Sequence, residues 1–432
     1  MTSRGDLNVE CRMSNVECTT RWLMTTIALT VASGVTATPA RAADPAGTAY
    51  RVGKVVTMDA ADTVINNAVV LERDGKIEKV GRAPEVDIPS DYRIVDMPDH
   101  WLTPGFVDAH NHTAGSLRDL NDMVYLTNPG LRTLETIVPE SELVKQGRAG
   151  GVTTVLLIPG SGTNLSGFGT LSKMGGESVD QMVVKSPGSL KIAQAGNPER
   201  YWFRVGRTFM NYNTRQTLEK ARDYHLKWEA YEQQPDRADE PEYDPIWHEF
   251  RGLFRRDFPV SVHTQIYQVM MTTIDMLTVR LGLRTVLDHC TFDGYKIAPL
   301  VNETDAYTIN GPRQYHFDRT ERRMNGNAAR WWQGGVRTLG INTDAPVVPE
   351  EELPYQAAMA CWYGWKPYEA LRGLTIIPAE ALMLEKDVGS IEVGKQADFG
   401  LWTGDPIDPR SACELTVIGG KAVYDASKER RF

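Results

Sequence analysis

Four histidines and one aspartate in this chain share a local setting. His110 and His112 close the run Pro104-Gly105-Phe106-Val107-Asp108-Ala109-His110-Asn111-His112. Phe106–Ala109 reads as a short buried strand, and on a strand residues two apart point to the same face. Both imidazoles can therefore reach one point, as a metal site requires. A lone His-x-His is just as common on turns and surfaces, so the pair needs company. His263 and His289 each end a hydrophobic run, at 260–263 and 285–289, and Asp344 ends another at 341–344. Imidazole nitrogen and carboxylate oxygen suit zinc or a similar divalent ion, and the chemistry such a set supports is hydrolysis by activated water.

The elements that must position these residues alternate. Between about 104 and 385, strand-like runs at Phe106–Ala109, Thr153–Ile158, Val260–His263, Thr285–Asp288 and Gly340–Thr343 are separated by longer helical stretches. Alternation of this kind implies a parallel sheet, and the length suits an α/β fold of the (β/α)8 barrel type. In such a barrel the strand ends lie at one mouth, where active sites form, so all five residues would converge there. Thr214–Gln233 reads as a solvated outer helix, Gln234–Glu242 as an acidic surface loop, and Pro378–Leu384 as a helix of two turns. The glycine-rich stretch Gly160–Gly169 reads as a mouth loop whose amides could approach a substrate carboxylate. Trp331-Trp332 reads as helix packing. Arg207, Tyr212 and Arg215 are further mouth candidates.

Both ends of the chain are β-rich. Arg51–Met58, Val64–Arg73, Lys76–Val80 and Tyr92–Met97 are expected strands, with Asp74-Gly75 as a hairpin turn. Ser390–Trp402 and Leu415–Tyr424 repeat this style. The expected organisation is a leader over 1–42, a first β part over 43–103, the barrel over 104–387 and a second β part over 388–432.

With 432 residues and 41% hydrophobic content there is ample material for a large core. A net charge of -9 and a pI near 5.5 argue against general nucleic-acid binding. At the N-terminus Arg12 and Arg21 precede an apolar run over 22–32, and Ala40-Arg41-Ala42 gives an A-x-A cleavage pattern. This predicts a signal peptide cleaved after Ala42 and a periplasmic or secreted protein. The run is too short and threonine-rich for a stable membrane span. Three of the five cysteines, Cys290, Cys361 and Cys413, fall after the leader and form no disulfide framework and no C-x-x-C zinc site, which leaves one disulfide pair open.

From these residues the sequence resembles the amidohydrolase superfamily of metal-dependent hydrolases, in particular its imidazolonepropionase-like branch. The resemblance runs over nearly all of 49–425. It rests on the 104–112 run, the single histidines at 263 and 289, Asp344, and a tail comprising Leu374–Ala381, Val388–Asp398 and Gly404-Asp405-Pro406. It implies a barrel with a small β-sandwich built from both chain ends. It implies that His110, His112 and Asp344 hold one divalent metal and His263 and His289 a second, giving one or two ions per chain, zinc being the expected element. A bridging ligand is then needed, and Lys191, as its carbamate, is the candidate ahead of Lys173 and Lys185. Many relatives carry glutamate where this chain has Gly196. The implied reaction is hydrolysis of an amide or cyclic amide in a small molecule or short peptide. Asp344 would act as general base then acid, and His289 or His263 would polarise the carbonyl. A one-metal deaminase and a secreted binding protein without turnover are the alternatives. The acid that deaminases place after the strand-five histidine is absent from Thr264-Gln265-Ile266-Tyr267. Homo-oligomerisation is left open.

Overall fold

Gly105 hands the chain from one sheet to the other, and the two sheets are the frame on which the helices and loops are hung. The computed structural model describes residues 45–431 apart from 195 and 202–204, so the expected leader lies outside the described residues. In chain order the strands are β1 (Gly47–Val56), β2 (Val64–Arg73), β3 (Lys76–Arg82), β4 (Tyr92–Pro104), β5 (Phe106–Asn111), β6 (Val152–Leu157), β7 (Leu165–Lys173), β8 (Val183–Ala193) and β9 (Val260–Thr264). They continue as β10 (Thr285–His289), β11 (Tyr307–Asn310), β12 (Tyr315–Asp318), β13 (Arg323–Gly326), β14 (Leu339–Ile341), β15 (Phe399–Trp402), β16 (Cys413–Ile418) and β17 (Lys421–Asp425).

Eight strands form the barrel sheet, in the order β14-β11-β10-β9-β8-β7-β6-β5. Every residue of β5, β6, β7, β9 and β10 is buried, as expected of strands covered on both faces. The edges β14 and β5 are drawn together by one short segment: Ile341 N donates to Gly373 O (3.1 Å) and Val107 N to Leu374 O (2.9 Å). This is an α/β barrel of the (β/α)8 type, nearly closed.

One strand departs from the parallel expectation. β7 runs antiparallel to both β6 and β8, so residues 165–169 belong to the barrel wall and not to a mouth loop. Leu165 and Phe168 pack into one apolar cluster and Leu171 into another. Gly167 and Gly169 serve close approach: a Cβ would lie 2.6 Å from Leu131 O at the first and 2.9 Å from Leu157 O at the second.

The chain ends build a seven-stranded sheet, β17-β16-β15-β4-β1-β2-β3. Alternate residues of β2 enter different clusters, Ala68 and Val70 one, Val69 and Leu71 another, so the strand is covered on both faces as in a sandwich. Asp74-Gly75 and Gly419-Gly420 are tight turns with positive φ at both residues (52° and 78°, 53° and 75°). Of the expected Ser390–Trp402 strand only Phe399–Trp402 forms. The residues before it bond backwards to the first β part, Ile391 N to Thr57 O and Gly394 N to Ile77 O, both at 2.8 Å.

The outer helix is longer than expected, Arg207–Gln233. Trp331 lies buried on the helix Asn327–Gln333 and donates its indole N–H to Cys290 O at 2.8 Å, a packing role. No described helix is long and apolar enough to cross a membrane.

Candidate metal centre

β5 delivers His110 into the barrel, and the chain just beyond it delivers His112; both are buried. His112 Nδ1 lies 2.7 Å from Ile158 O, and His289 Nδ1 lies 3.1 Å from Gly311 O. A carbonyl oxygen only accepts, so the proton of each ring sits on Nδ1 and Nε2 keeps its lone pair. His110 Nδ1 lies 2.8 Å from Asp288 Oδ2 without the alignment of a hydrogen bond, and the carboxylate favours the proton on that nitrogen through its charge. The free faces converge. Asp344 Oδ1 is 3.2 Å from His112 Nε2 and 3.4 Å from His110 Nε2, and one donor atom from each of these three residues falls within 4.8 Å of the others.

The remaining candidates stand beside this group. The His289 ring is 4.6 Å from that of His110 and 4.4 Å from that of His263, and His289 Nε2 is buried without a hydrogen-bond partner. Lys191, fully buried near the end of β8, brings Nζ to 3.1 Å from His110 Nε2. Lys173 and Lys185 go elsewhere: the first pairs with Asp398 at 2.5 Å and the second donates to Asp257 O. His289 and Asp344 both have positive φ, 70° and 50°, an uncommon backbone for these residue types that turns each strand end toward the mouth.

Electrostatics prepare the group for a cation. Burial pushes His112 and His263 below the ordinary histidine value and His289 down to about 4, so these rings are neutral near pH 7. For His110, burial and the Lys191 charge pull down, Asp288 and Asp344 pull up, and the net direction is up. Burial would raise Asp344, but the imidazoles gathered around it, His289 foremost and then His110 and His112, hold its carboxyl well below the usual carboxylate range. Burial brings the Lys191 amine down to about 8. An ionised Asp344 beside the neutral imidazoles of His112, His263 and His289 is the protonation state a divalent ion needs, and His110 joins it on giving up its second proton.

The amidohydrolase family model matches residues 322–424. The crystal structure of an amidohydrolase from Thermotoga maritima superposes with a TM-score of 0.77 at 29% identity, covering 88% of this chain and 100% of that one. An imidazolonepropionase of Pseudomonas fluorescens is 25% identical over 372 residues, 79% of this chain and 89% of that protein. This chain belongs to the amidohydrolase superfamily, in its imidazolonepropionase-like branch. The amidohydrolase tasK of Hapsidospora irregularis is 24% identical over 403 residues, which is 83% of this chain but 40% of that protein. The superfamily is metal-dependent, and in this amidohydrolase the His110–His112–Asp344 group can hold the ion.

Several residues around the centre were not anticipated. Asp108 accepts from His110 N (2.8 Å), Thr343 N (3.0 Å) and Thr343 Oγ1 (2.8 Å), tying β5 to the segment that carries Asp344. Its place two residues before His110 puts it on the same strand face, a signal the sequence did carry. Glu350 meets Thr343 Oγ1 at 2.8 Å and accepts from Asn111 Nδ2 at 2.6 Å; burial and the Asp108 charge push its carboxyl well above the usual range. Asp288 precedes His289 directly, and nothing in its spacing announces a contact with His110. Ser161 Oγ lies 2.9 Å from His263 Nδ1. Its loop is held by Gly160 N donating to Leu120 O and Gly162 N to Asn121 Oδ1, both at 2.8 Å. Those two glycine amides are thus engaged within the protein and are not offered to a substrate. A Cβ at Gly196 would lie 3.4 Å from His263 Nε2, so position 196 faces the centre. Arg207 pairs with Glu199 at 2.8 Å.

Proposed function

We propose that this amidohydrolase cleaves an amide or cyclic amide C–N bond with activated water, Asp344 acting as general base and then as general acid. The observation that carries the reading is the position of Asp344. One oxygen contacts Nε2 of both His110 and His112, and the residue also lines an open cavity of about 720 Å³. It therefore stands between the buried ligands and the space a substrate can enter.

The donors fit a divalent ion such as zinc: His110, His112 and Asp344 as one set, and His263 with His289 as a second. The buried Nε2 of His289, which has no hydrogen-bond partner among the described residues, fits a ligand to such an ion. Lys191, once its neutral amine has taken up CO2, is the bridging candidate. When bound, the ion supplies Lewis acidity, lowering the pKa of water from 15.7 to about 7. Asp344 takes the proton as the water oxygen adds to the carbonyl carbon. It then returns that proton to the nitrogen as the C–N bond breaks. His289 suits a ligand better than a carbonyl polariser. Its only proton faces Gly311 O, and a pKa of about 4 denies it a second.

Zinc-loaded protein should hydrolyse members of a panel of N-acyl amino acids, dipeptides and lactams. Asp344→Asn should reduce kcat by roughly 10²- to 10⁴-fold with most of the metal retained. Undiminished turnover in that variant overturns the mechanism. The apolar run over 22–32 behind Arg12 and Arg21, with the A-x-A pattern at 40–42, supports export, and N-terminal sequencing of mature protein from a periplasmic fraction tests it.

A further inference from the structure

The cavity that reaches Asp344 carries two unmatched positive charges. Its wall includes Thr291 and Phe292 after β10, the hairpin β12–β13, and both Arg313 and Arg319. Asp344 is the one carboxylate among the described residues lining it. On the same hairpin Arg323 pairs with Glu321, and Arg330 behind it donates to Asn325 Oδ1 at 2.9 Å, while Arg322 at the turn makes no side-chain hydrogen bond or ion pair among the described residues and lies outside the cavity wall. Neither Arg313 nor Arg319 makes a side-chain hydrogen bond or ion pair among the described residues. Asp318, the acid nearest them in sequence, directs Oδ1 to the amides of Thr320 (2.8 Å) and Glu321 (3.0 Å).

The platform bearing these charges is fixed from beneath. Asn327 is buried; its backbone N–H donates to Gln314 O (2.7 Å), its side-chain amide to Arg313 O (2.6 Å), and its Oδ1 accepts from His316 Nδ1 (2.7 Å). Tyr315 stacks on Tyr363 with ring centres 5.5 Å apart, and Phe292 meets His316 edge-on at 5.9 Å. Cationic and aromatic groups therefore share one anchored wall beside the reacting centre. Arginine in such a place favours planar anions.

We infer that the substrate amide bears a carboxylate held by Arg313 and Arg319, with an apolar or aromatic group lying against Phe292 and Tyr315. This rests on the reading of Asp344 as the reacting centre. N-acyl aromatic amino acids are the class that fits.

The test compares binding of N-acetyl-L-phenylalanine with that of its uncharged C-terminal amide, by calorimetry on the full zinc-loaded chain, alongside hydrolysis of each. The acid should bind roughly 10- to 100-fold more tightly, the range of a charge-assisted hydrogen bond. The double variant Arg313→Met, Arg319→Met should erase that preference, while Arg323→Met should keep it. Equal binding of the two compounds, binding of neither, or a preference that survives the double variant overturns the proposal. Arginine-dependent preference without any hydrolysis leaves the carboxylate site standing and removes the hydrolase reading. Hydrolysis with no preference does the reverse.

Discussion

Replacing Lys191 with methionine should make the metal-free protein more stable at neutral pH, even though it removes a buried polar group. The Lys191 amine is fully buried, and its pKa falls from 10.5 to about 8. Between those values the folded amine is neutral while the unfolded one is charged. The unfolded chain then binds more protons, and wild-type stability rises with pH across the window. Below pH 8 both states are charged and the burial penalty is nearly complete. At about 1.4 kcal/mol per pH unit it amounts to about 3 kcal/mol at pH 7 and about 1 kcal/mol at pH 9.5. Methionine fills similar space without the charge. The lost hydrogen bond to His110 Nε2 offsets about 1 kcal/mol. Lys191→Met should therefore gain about 2 kcal/mol at pH 7 and almost nothing at pH 9.5. Urea unfolding of the chelator-treated proteins at the two pH values reads this directly. A variant less stable than wild type at pH 7, or a gain that does not change with pH, refutes the reasoning. In the zinc-loaded protein the same substitution should reduce metal content from two ions to one if Lys191 is the bridge.

Asp288→Asn removes the charge that keeps the His110 proton on Nδ1, at 2.8 Å; metal affinity, read by chelator competition, should fall roughly 10- to 100-fold. Unchanged affinity would mean that the tautomer is set by something else. Ser161→Ala frees His263 Nδ1 from its 2.9 Å contact and should weaken the second ion by roughly tenfold while the first stays in place. Stepwise metal titration separates the two, and equal weakening of both would refute the assignment of His263 to a separate set.

The parts of this site that could be read from sequence are those fixed by strand geometry. A buried strand turns a spacing of two into a shared face, which is why Asp108, His110 and His112 meet one space. His263 and Asp344 required only that strand ends gather at one mouth. Contacts set by backbone turns left no such mark. Asp288 and His289 are neighbours that a regular strand would send to opposite faces. The positive φ of His289 ends that regularity and turns its ring to the side Asp288 already faces, so both reach His110. β7 escaped notice for a related reason. A strand buried on both faces shows no alternation, and its glycines, required for close approach, read as loop.

The same distinction governs specificity. The residues proposed to bind metal stand on or just beyond barrel strands, while Arg313, Arg319 and Phe292 stand on the segments that follow β10 and β11. Those segments carry their own anchor in Asn327, whose three hydrogen bonds tie the hairpin wall to the helix over 327–333. An anchor of this kind lets the charges on the wall change without disturbing the donors beneath. Substrate choice can then move independently of the hydrolytic centre, since Asp344 is the one member of the metal group that also lines the cavity.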